Sequence, residues 1–198
     1  MLIVISNPTP VNDEATIINA LFDEGLEVLH VRKPRASVNE LKVLIEKIHS
    51  KYHQQLALHQ HHELAVDFGI NRLHFTEVKK HAMKEGALMK LKDNHTILST
   101  SIHQIESHKT LSASFDYTFF GPVFNSISKQ GYNSILSKDF VLPSQLNHPK
   151  TIAIGGIYAS NIQQVKRMQF NGAAVLGTIW QQLNESIQQF KTIQKLWY

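Results

Sequence analysis

Residues 119–131 read FFGPVFNSISKQG, and this stretch decides the fold because a buried-strand pattern breaks there into polar, flexible chain. Tyr117, Phe119, Phe120 and Val123 are aromatic or β-branched, as a buried strand requires. Gly121-Pro122 and the hydroxyls of Ser126 and Ser128 suit a loop leading to Lys129. Two hydroxyls and an ammonium so close together can receive an oxyanion, although the same composition also serves as an ordinary strand-to-helix connection. The choice rests on whether the flanking chain repeats the pattern.

It does, on both sides. Leu2 to Ile5 is a short apolar run ended by Ser6-Asn7-Pro8, followed by Ile18, Leu21 and Phe22 at helical spacing behind a possible N-cap, Asn12. Val28 to Arg32 is a second run, after which Ser37 and Glu40 form a capping box ahead of Leu41, Leu44, Ile45 and Ile48. Gln55 to His59 precedes a short helix from His62 to Phe68 that Gly69 ends, and Arg72 to Thr76 precedes a helix over 79–91. Thr96 to Thr100 leads to a box of Ser101 with Gln104 and a helix running to Leu111. Beyond the opening stretch, 125–150 reads as a long loop with at most one short helix. Thr151 to Ile154 is the seventh strand, followed by Gly155-Gly156 and a box of Ser160 with Gln163. Ala173 to Leu176 is the eighth, and a closing helix carries Leu183, Ile187, Phe190, Ile193 and Trp197 on one face.

Eight strand-then-helix units predict parallel strands joined by helical crossovers. The expected fold is α/β, a (β/α)8 TIM barrel occupying residues 1–198 as a single domain; a doubly wound open sheet is the alternative, and it would want a glycine-rich turn after the first strand. The 198 residues, 42% hydrophobic, suffice for one sizeable core. A net charge of +4 is dispersed, with no basic run, so nucleic acid is not expected as a partner. The absence of cysteine excludes disulfides and thiolate metal sites. The start MLIVISNPTP has neither a basic leader nor a membrane-length apolar run, so the expected location is cytoplasmic, away from membranes.

In such a barrel, functional groups follow the strands. The groups so placed are His30 and Arg32, His59, His74, Ser101 and His103, Ser126 to Lys129, Gly155-Gly156, and Gly177-Thr178. Glycine turns after the seventh and eighth strands let backbone N–H groups approach a phosphate. Arg32 and Lys129 are the cations expected to face that ligand. A neutral imidazole from His30, His59 or His103 can serve as acid, base or hydrogen-bond donor. His59, His61, His62, His74 and His103, with Glu63 or Glu77, match no zinc signature, and no metal ligand is assigned.

The motifs GPVFNSISK at 121–129, AIGGI at 153–157, LHVRK at 29–33, SIH at 101–103 and GAAVLGTI at 172–179 occur in an order that resembles the thiamine phosphate synthase and thiazole tautomerase superfamily. The resemblance runs through nearly the whole chain. It implies a barrel that binds a thiazole phosphate and, in the synthase, joins it to an aminopyrimidine diphosphate with Mg2+, releasing pyrophosphate; thiamine phosphate is then the product. It implies Ser126, Ser128, Gly156 and the backbone of Leu176-Gly177 at the thiazole phosphate, with Arg32, Ser101 and Lys129 at the diphosphate. It further suggests a homo-oligomer. Where the synthase carries its Mg2+ carboxylates, this chain has Gln60, beside His59, and Lys79, beside Val78. The tautomerase branch places a catalytic histidine where this chain has Pro122, so that His103 or His59 would have to shuttle the proton. Three readings follow: a synthase with a degenerate Mg2+ site, a tautomerase acting on the thiazole phosphate, and a non-catalytic binder of thiazole or thiamine phosphate. A metal-dependent hydrolase using the histidines is a remote fourth.

Overall fold

The computed structural model describes residues 1–125, 136–137, 139–146 and 148–198. Eight parallel strands close into a barrel in chain order: β1 (Leu2–Ile5), β2 (Val28–Val31), β3 (Leu56–Leu58), β4 (Arg72–Phe75), β5 (Ile97–Ile102), β6 (Tyr117–Phe120), β7 (Lys150–Ile154) and β8 (Gly172–Val175). β8 pairs with β1, Ile3 opposite Ala174, so no edge is left open. The open-sheet alternative is thereby excluded.

Strand alternation sorts the side chains into two cores. Leu29, Val31, Leu56, Leu58, Leu73, Phe120, Ala153 and Val175 face outward and pack against the helices. Ile3, Ile5, Val28, Ala57, Tyr117, Phe119, Ile152 and Ala174 form a separate cluster inside the barrel. His30, two residues on from Val28, and His59, two residues on from Ala57, therefore belong to the inner set. So do His74, Ser99 and Ser101, because His74 pairs with Ser99, Ser99 with Tyr117 and Ser101 with Phe119.

The helices are α1 (Glu14–Asp23), α2 (Val38–Glu46), α3 (Leu64–Asp67), α4 (Glu77–Ala82), α5 (Glu85–Asp93), α6 (Ile162–Arg167), α7 (Gly177–Trp180) and α8 (Ser186–Trp197). Ser37 and Glu40 make the expected capping box in full: the Ser37 hydroxyl accepts from the Glu40 N–H, and the Glu40 carboxylate accepts from the Ser37 N–H. The other two boxes do not form. Ser101 lies within β5, and its hydroxyl meets His74, so the segment after it makes only 3-10 turns over Ile105–Thr110. Asn161, not Ser160, precedes α6, and its side chain folds back onto the loop before it. Asp13 rather than Asn12 precedes α1, in the left-handed region at φ 54° and without a side-chain cap. The helix expected over 79–91 is two helices, α4 and α5, broken at Met83, whose ψ of 132° is extended. Leu183 sits in a 3-10 turn before α8 and is exposed, while Phe190, Ile193 and Trp197 are buried as expected. Within the described part of 125–150, the only helical element is a 3-10 turn at Ser144–Leu146.

Candidate active site

The C-terminal mouth of the barrel has two unlike halves. At the exits of β2 to β5 the inner face is polar. The His30 Nδ1 and His59 Nε2 are 2.9 Å apart, and His30 Nε2 is 2.7 Å from the Tyr117 hydroxyl. The His59 and His74 rings stack at 4.0 Å between centroids, and both His30 and His74 rest against the Phe119 ring. His74 Nδ1 is 3.0 Å from Ser99 Oγ, and its Nε2 is 3.2 Å from Ser101 Oγ. All three imidazoles are buried.

Burial governs their protonation. Desolvation, reinforced by the positive charge each would add beside the others, holds His30 and His59 well below the ordinary histidine range. The same desolvation, with His62 and Arg32 adding to it, brings His74 to about 3. The Tyr117 phenol is pushed up to about 12, chiefly by burial. At neutral pH the cluster is therefore three neutral imidazoles and a neutral phenol. His74 is the member that a reading of single residues ranks too low, because its partners come from neighbouring strands.

Arg32 follows β2 and is half-buried; its backbone N–H donates to Ser6 Oγ, and its guanidinium has no ion-pair partner among the described residues. Its neighbour Lys33 is differently engaged. The Lys33 ammonium is buried against the Glu14 carboxylate at 2.5 Å and also donates to the Thr9 carbonyl, so it does not serve the mouth. This pair borders a cavity of about 610 Å³ between α1 and α2. The loops after β1 and β2 also line it, and none of the three imidazoles does.

The exits of β6, β7 and β8 form the second half. A cavity of about 230 Å³ is lined there by His103, Gly121, Gly155, Gly156, Leu176 and Gly177, together with Pro122, Tyr158 and Thr178, and none of its lining residues is acidic. Gly155 and Gly156 have φ of 98° and 63°. A Cβ on Gly156 would come within 2.6 Å of the Asn125 carbonyl oxygen, so only glycine fits this turn. The turn is clamped: the Asn161 amide donates to the Gly156 carbonyl, and its oxygen accepts from the Tyr158 N–H. Thr178 donates to the Ile157 carbonyl, joining the loops after β7 and β8. Asn161 escapes a sequence reading because its work is to hold backbone, whereas Thr178 stands beside Gly177 in the turn the sequence already marked. His103, exposed, places Nδ1 3.2 Å from the Gly121 carbonyl and Nε2 3.9 Å from the Glu77 carboxylate.

The structure thus brings His30, His59 and Ser101 into one half, and Gly155, Gly156, Leu176, Gly177 and His103 into the other. Ser126, Ser128 and Lys129 lie outside the described residues. His61 and His62 are half-buried, and each sets a ring nitrogen against a backbone carbonyl, of Ala36 and Leu58 respectively.

The residues match the family profile described as thiamine monophosphate synthase over positions 1–179. The chain belongs to the thiamine monophosphate synthase family. It is 26% identical over 138 residues to a thiamine-phosphate synthase of Pasteurella multocida, an alignment covering 68% of this chain and 59% of that protein. It is 22% identical over 189 residues to one from a Hydrogenobaculum strain, covering 92% and 87%. The chain thus spans only about three-fifths of the Pasteurella relative's length, and 64% of the length of a Histophilus somni relative. Among solved structures it resembles a thiamine phosphate pyrophosphorylase from Bacteroides thetaiotaomicron, with a TM-score of 0.74, 29% identity and coverage of 98% and 96%. A pyrophosphorylase from Pyrococcus furiosus has the same fold at 15% identity, with a TM-score of 0.75 and coverage of 98% and 94%. No helix among the described residues is long and apolar enough to cross a membrane.

The Mg2+ that the resemblance implies does not fit the side chains at its expected positions. The Gln60 amide nitrogen donates to the Lys33 carbonyl, and Lys79 is exposed in the first turn of α4, its backbone N–H on the Thr76 hydroxyl. Neither offers a carboxylate, and Mg2+ takes hard oxygen ligands. Nitrogen donors are abundant instead, from the three imidazoles at the exits of β2, β3 and β4.

Proposed function

We propose that this protein acts in thiamine biosynthesis, holding a thiazole phosphate in the β6–β8 cavity and joining its ring nitrogen to the methylene carbon of an aminopyrimidine diphosphate. The observation that carries this reading is the cavity itself: a glycine-built turn that no side chain can occupy, clamped by Asn161, with no acidic lining residue. A glycine turn lets backbone N–H groups approach an anion, and no acidic side chain lines the cavity. The volume suits a phosphate with part of a ring rather than a whole two-ring product.

The reaction asks little proton chemistry of the protein. The nitrogen lone pair forms the new C–N bond as the C–O bond to the diphosphate breaks, and the positive charge left on the thiazolium balances the negative charge that departs with pyrophosphate. Orientation and electrostatic stabilisation of the leaving group are what remain. Arg32, at the exit of β2, is proposed for that role, with the Ser101 hydroxyl and with Lys129 as the second cation. No step is assigned to Mg2+, since its expected positions are Gln60 and Lys79.

A second reading, thiazole tautomerase, is favoured by one feature: His103 lines the cavity beside Pro122, the position at which the resemblance expects the tautomerase histidine. Calorimetric titration with thiazole phosphate, then addition of the aminopyrimidine diphosphate with chromatographic product detection, tests the first reading. Binding followed by thiamine phosphate supports it. Binding with turnover only of the carboxylated thiazole tautomer supports the second, and binding without either product marks a non-catalytic binder. Failure to bind either thiazole phosphate or thiamine phosphate removes all three.

A further inference from the structure

Histidines that merely fill space in this fold find backbone carbonyls: His53 with Ile48 and Phe68, His62 with Leu58, and His108 with Pro149. His30, His59 and His74 do not. Their ring nitrogens are turned on one another and on hydroxyls, one ligand atom from each lies within 4.8 Å of the others, and their exposures are 0%, 7% and 2%. The geometry points to a site for one divalent ion of the zinc class, bound by the nitrogens of His30, His59 and His74 at the exits of β2, β3 and β4, with a fourth position open to an oxygen ligand.

Three observations support the site, and a fourth fixes the ligand its open position takes. The first is donor type, since neutral imidazole suits Zn2+, Co2+, Ni2+ or Cu2+ and not Mg2+ or Ca2+. The second is spacing. Tetrahedral coordination with Zn–N bonds near 2.0–2.1 Å places ligand nitrogens about 3.3 Å apart. The His30–His59 separation of 2.9 Å needs to open by a few tenths of an ångström, and the 4.8 Å limit on the set needs to close by a rotation of the rings. The third is orientation from outside. If His30 binds through Nδ1, its Nε2–H donates to the Tyr117 hydroxyl. Whichever His74 nitrogen binds, the other retains a serine, Ser99 at Nδ1 or Ser101 at Nε2. Such outer partners fix the tautomer and the ring plane of a ligating histidine.

The fourth is charge. No carboxylate belongs to the cluster, and Arg32 lies close enough to depress His59 and His74. An ion held by three neutral ligands keeps its full double charge. Its open position then favours an anionic oxygen, hydroxide or a phosphate oxygen. None of the three histidines lines the β6–β8 cavity, so the ion site stands or falls independently of the thiazole phosphate reading.

The test is titration of the chelator-stripped full chain with Co2+, followed by visible absorption and then displacement with Zn2+. The expected result is one equivalent of Co2+ with an intense ligand-field spectrum of low coordination number, bleached by Zn2+. Tyr117→Phe, which keeps the ring and removes the outer hydroxyl, should weaken binding about 10- to 100-fold. His59→Ala should abolish the spectrum, while the exposed pair His81→Ala and His95→Ala should leave it unchanged. Should His59→Ala fail to fold, the wild-type stoichiometry and Tyr117→Phe still decide. A wild-type protein that takes up no Co2+, or a spectrum lost with the exposed pair and retained in His59→Ala, overturns the site.

Discussion

The β2–β5 half of the mouth and the β6–β8 half solve opposite problems with opposite means. The first is built of side chains: three imidazoles, a phenol and two serine hydroxyls, mutually bonded and deprived of water. The second is built by the absence of side chains, since Gly121, Gly155 and Gly156 bring backbone so close that a Cβ would meet another residue at 2.0 to 2.9 Å. The first half is sensitive to protonation, the second to volume. Variants and conditions that act on one and spare the other test the division.

Acid should separate them most strongly. The folded protein holds His74 at about 3, and His30 and His59 well below the ordinary value, whereas in the unfolded chain each titrates near 6.5. Between these values the unfolded state binds more protons than the folded one, so stability is full above pH 6.5 and falls as the pH drops through it. Each imidazole contributes up to about 1.4 kcal/mol per pH unit, so the three together give roughly 4 kcal/mol per unit at the steepest. Urea unfolding in metal-free buffer between pH 7.5 and 5 measures this, before most carboxylates titrate. A slope near that of one histidine would show that two of the three accept protons while folded. Binding at the β6–β8 cavity should change far less over the same range.

The glycine half should break by volume. Gly121→Ala places a Cβ 2.0 Å from the Ile154 carbonyl oxygen, and backbone cannot yield there as a flexible side chain would. A loss of about 3 kcal/mol in unfolding free energy is expected. Gly156→Ala adds the strain of a left-handed φ to a 2.6 Å approach to Asn125 and should abolish thiazole phosphate binding while leaving Co2+ uptake intact. Equal loss of both ligands would mean that the halves are one site.

Lys33→Met lies outside both halves. It removes the partner of a buried carboxylate, Glu14, which burial already pushes toward the protonated form despite the lysine. Breaking such a pair costs on the order of 3 kcal/mol, somewhat less here because Glu14 can take up a proton. The prediction is a stability loss no larger than that of Gly121→Ala, read by thermal unfolding, with both ligand affinities retained per folded molecule.

What could be read from the chain follows the same division. The barrel was legible because eight apolar runs each precede polar, helix-favouring sequence, and a closed parallel sheet is the compact way to bury them. The glycine turns were legible because Gly155-Gly156 and Gly177 stand next to strand ends, a local signal. The imidazole cluster was legible in part: His30, His59 and His74 stand at the ends of three consecutive strands, which places them on one rim, but their mutual contacts are set by register, His30 opposite Ala57 and His74 opposite Ser99. Ser101 shows the converse error. Its spacing to Gln104 suggested a helix cap, but the strand runs two residues further than its apolar pattern and turns the hydroxyl inward to His74.

The smallest expected effect on stability, and the sharpest on chemistry, comes from restoring carboxylates with Gln60→Asp and Lys79→Asp. Gln60→Asp forfeits one hydrogen bond to the Lys33 carbonyl, worth about 1 kcal/mol. Lys79→Asp puts a negative charge in the first turn of α4, where the helix dipole returns a few tenths to about 1 kcal/mol. The net change should be near zero. Two new hard oxygen donors then stand beside a region that now offers nitrogen, and the double variant should bind Mg2+ where the parent does not. Calorimetric titration with Mg2+ measures this directly. If the double variant gains Mg2+ and with it faster coupling to the aminopyrimidine diphosphate, the barrel is a synthase that lost its hard metal. If it gains Mg2+ and no coupling, the imidazole half has taken up different work.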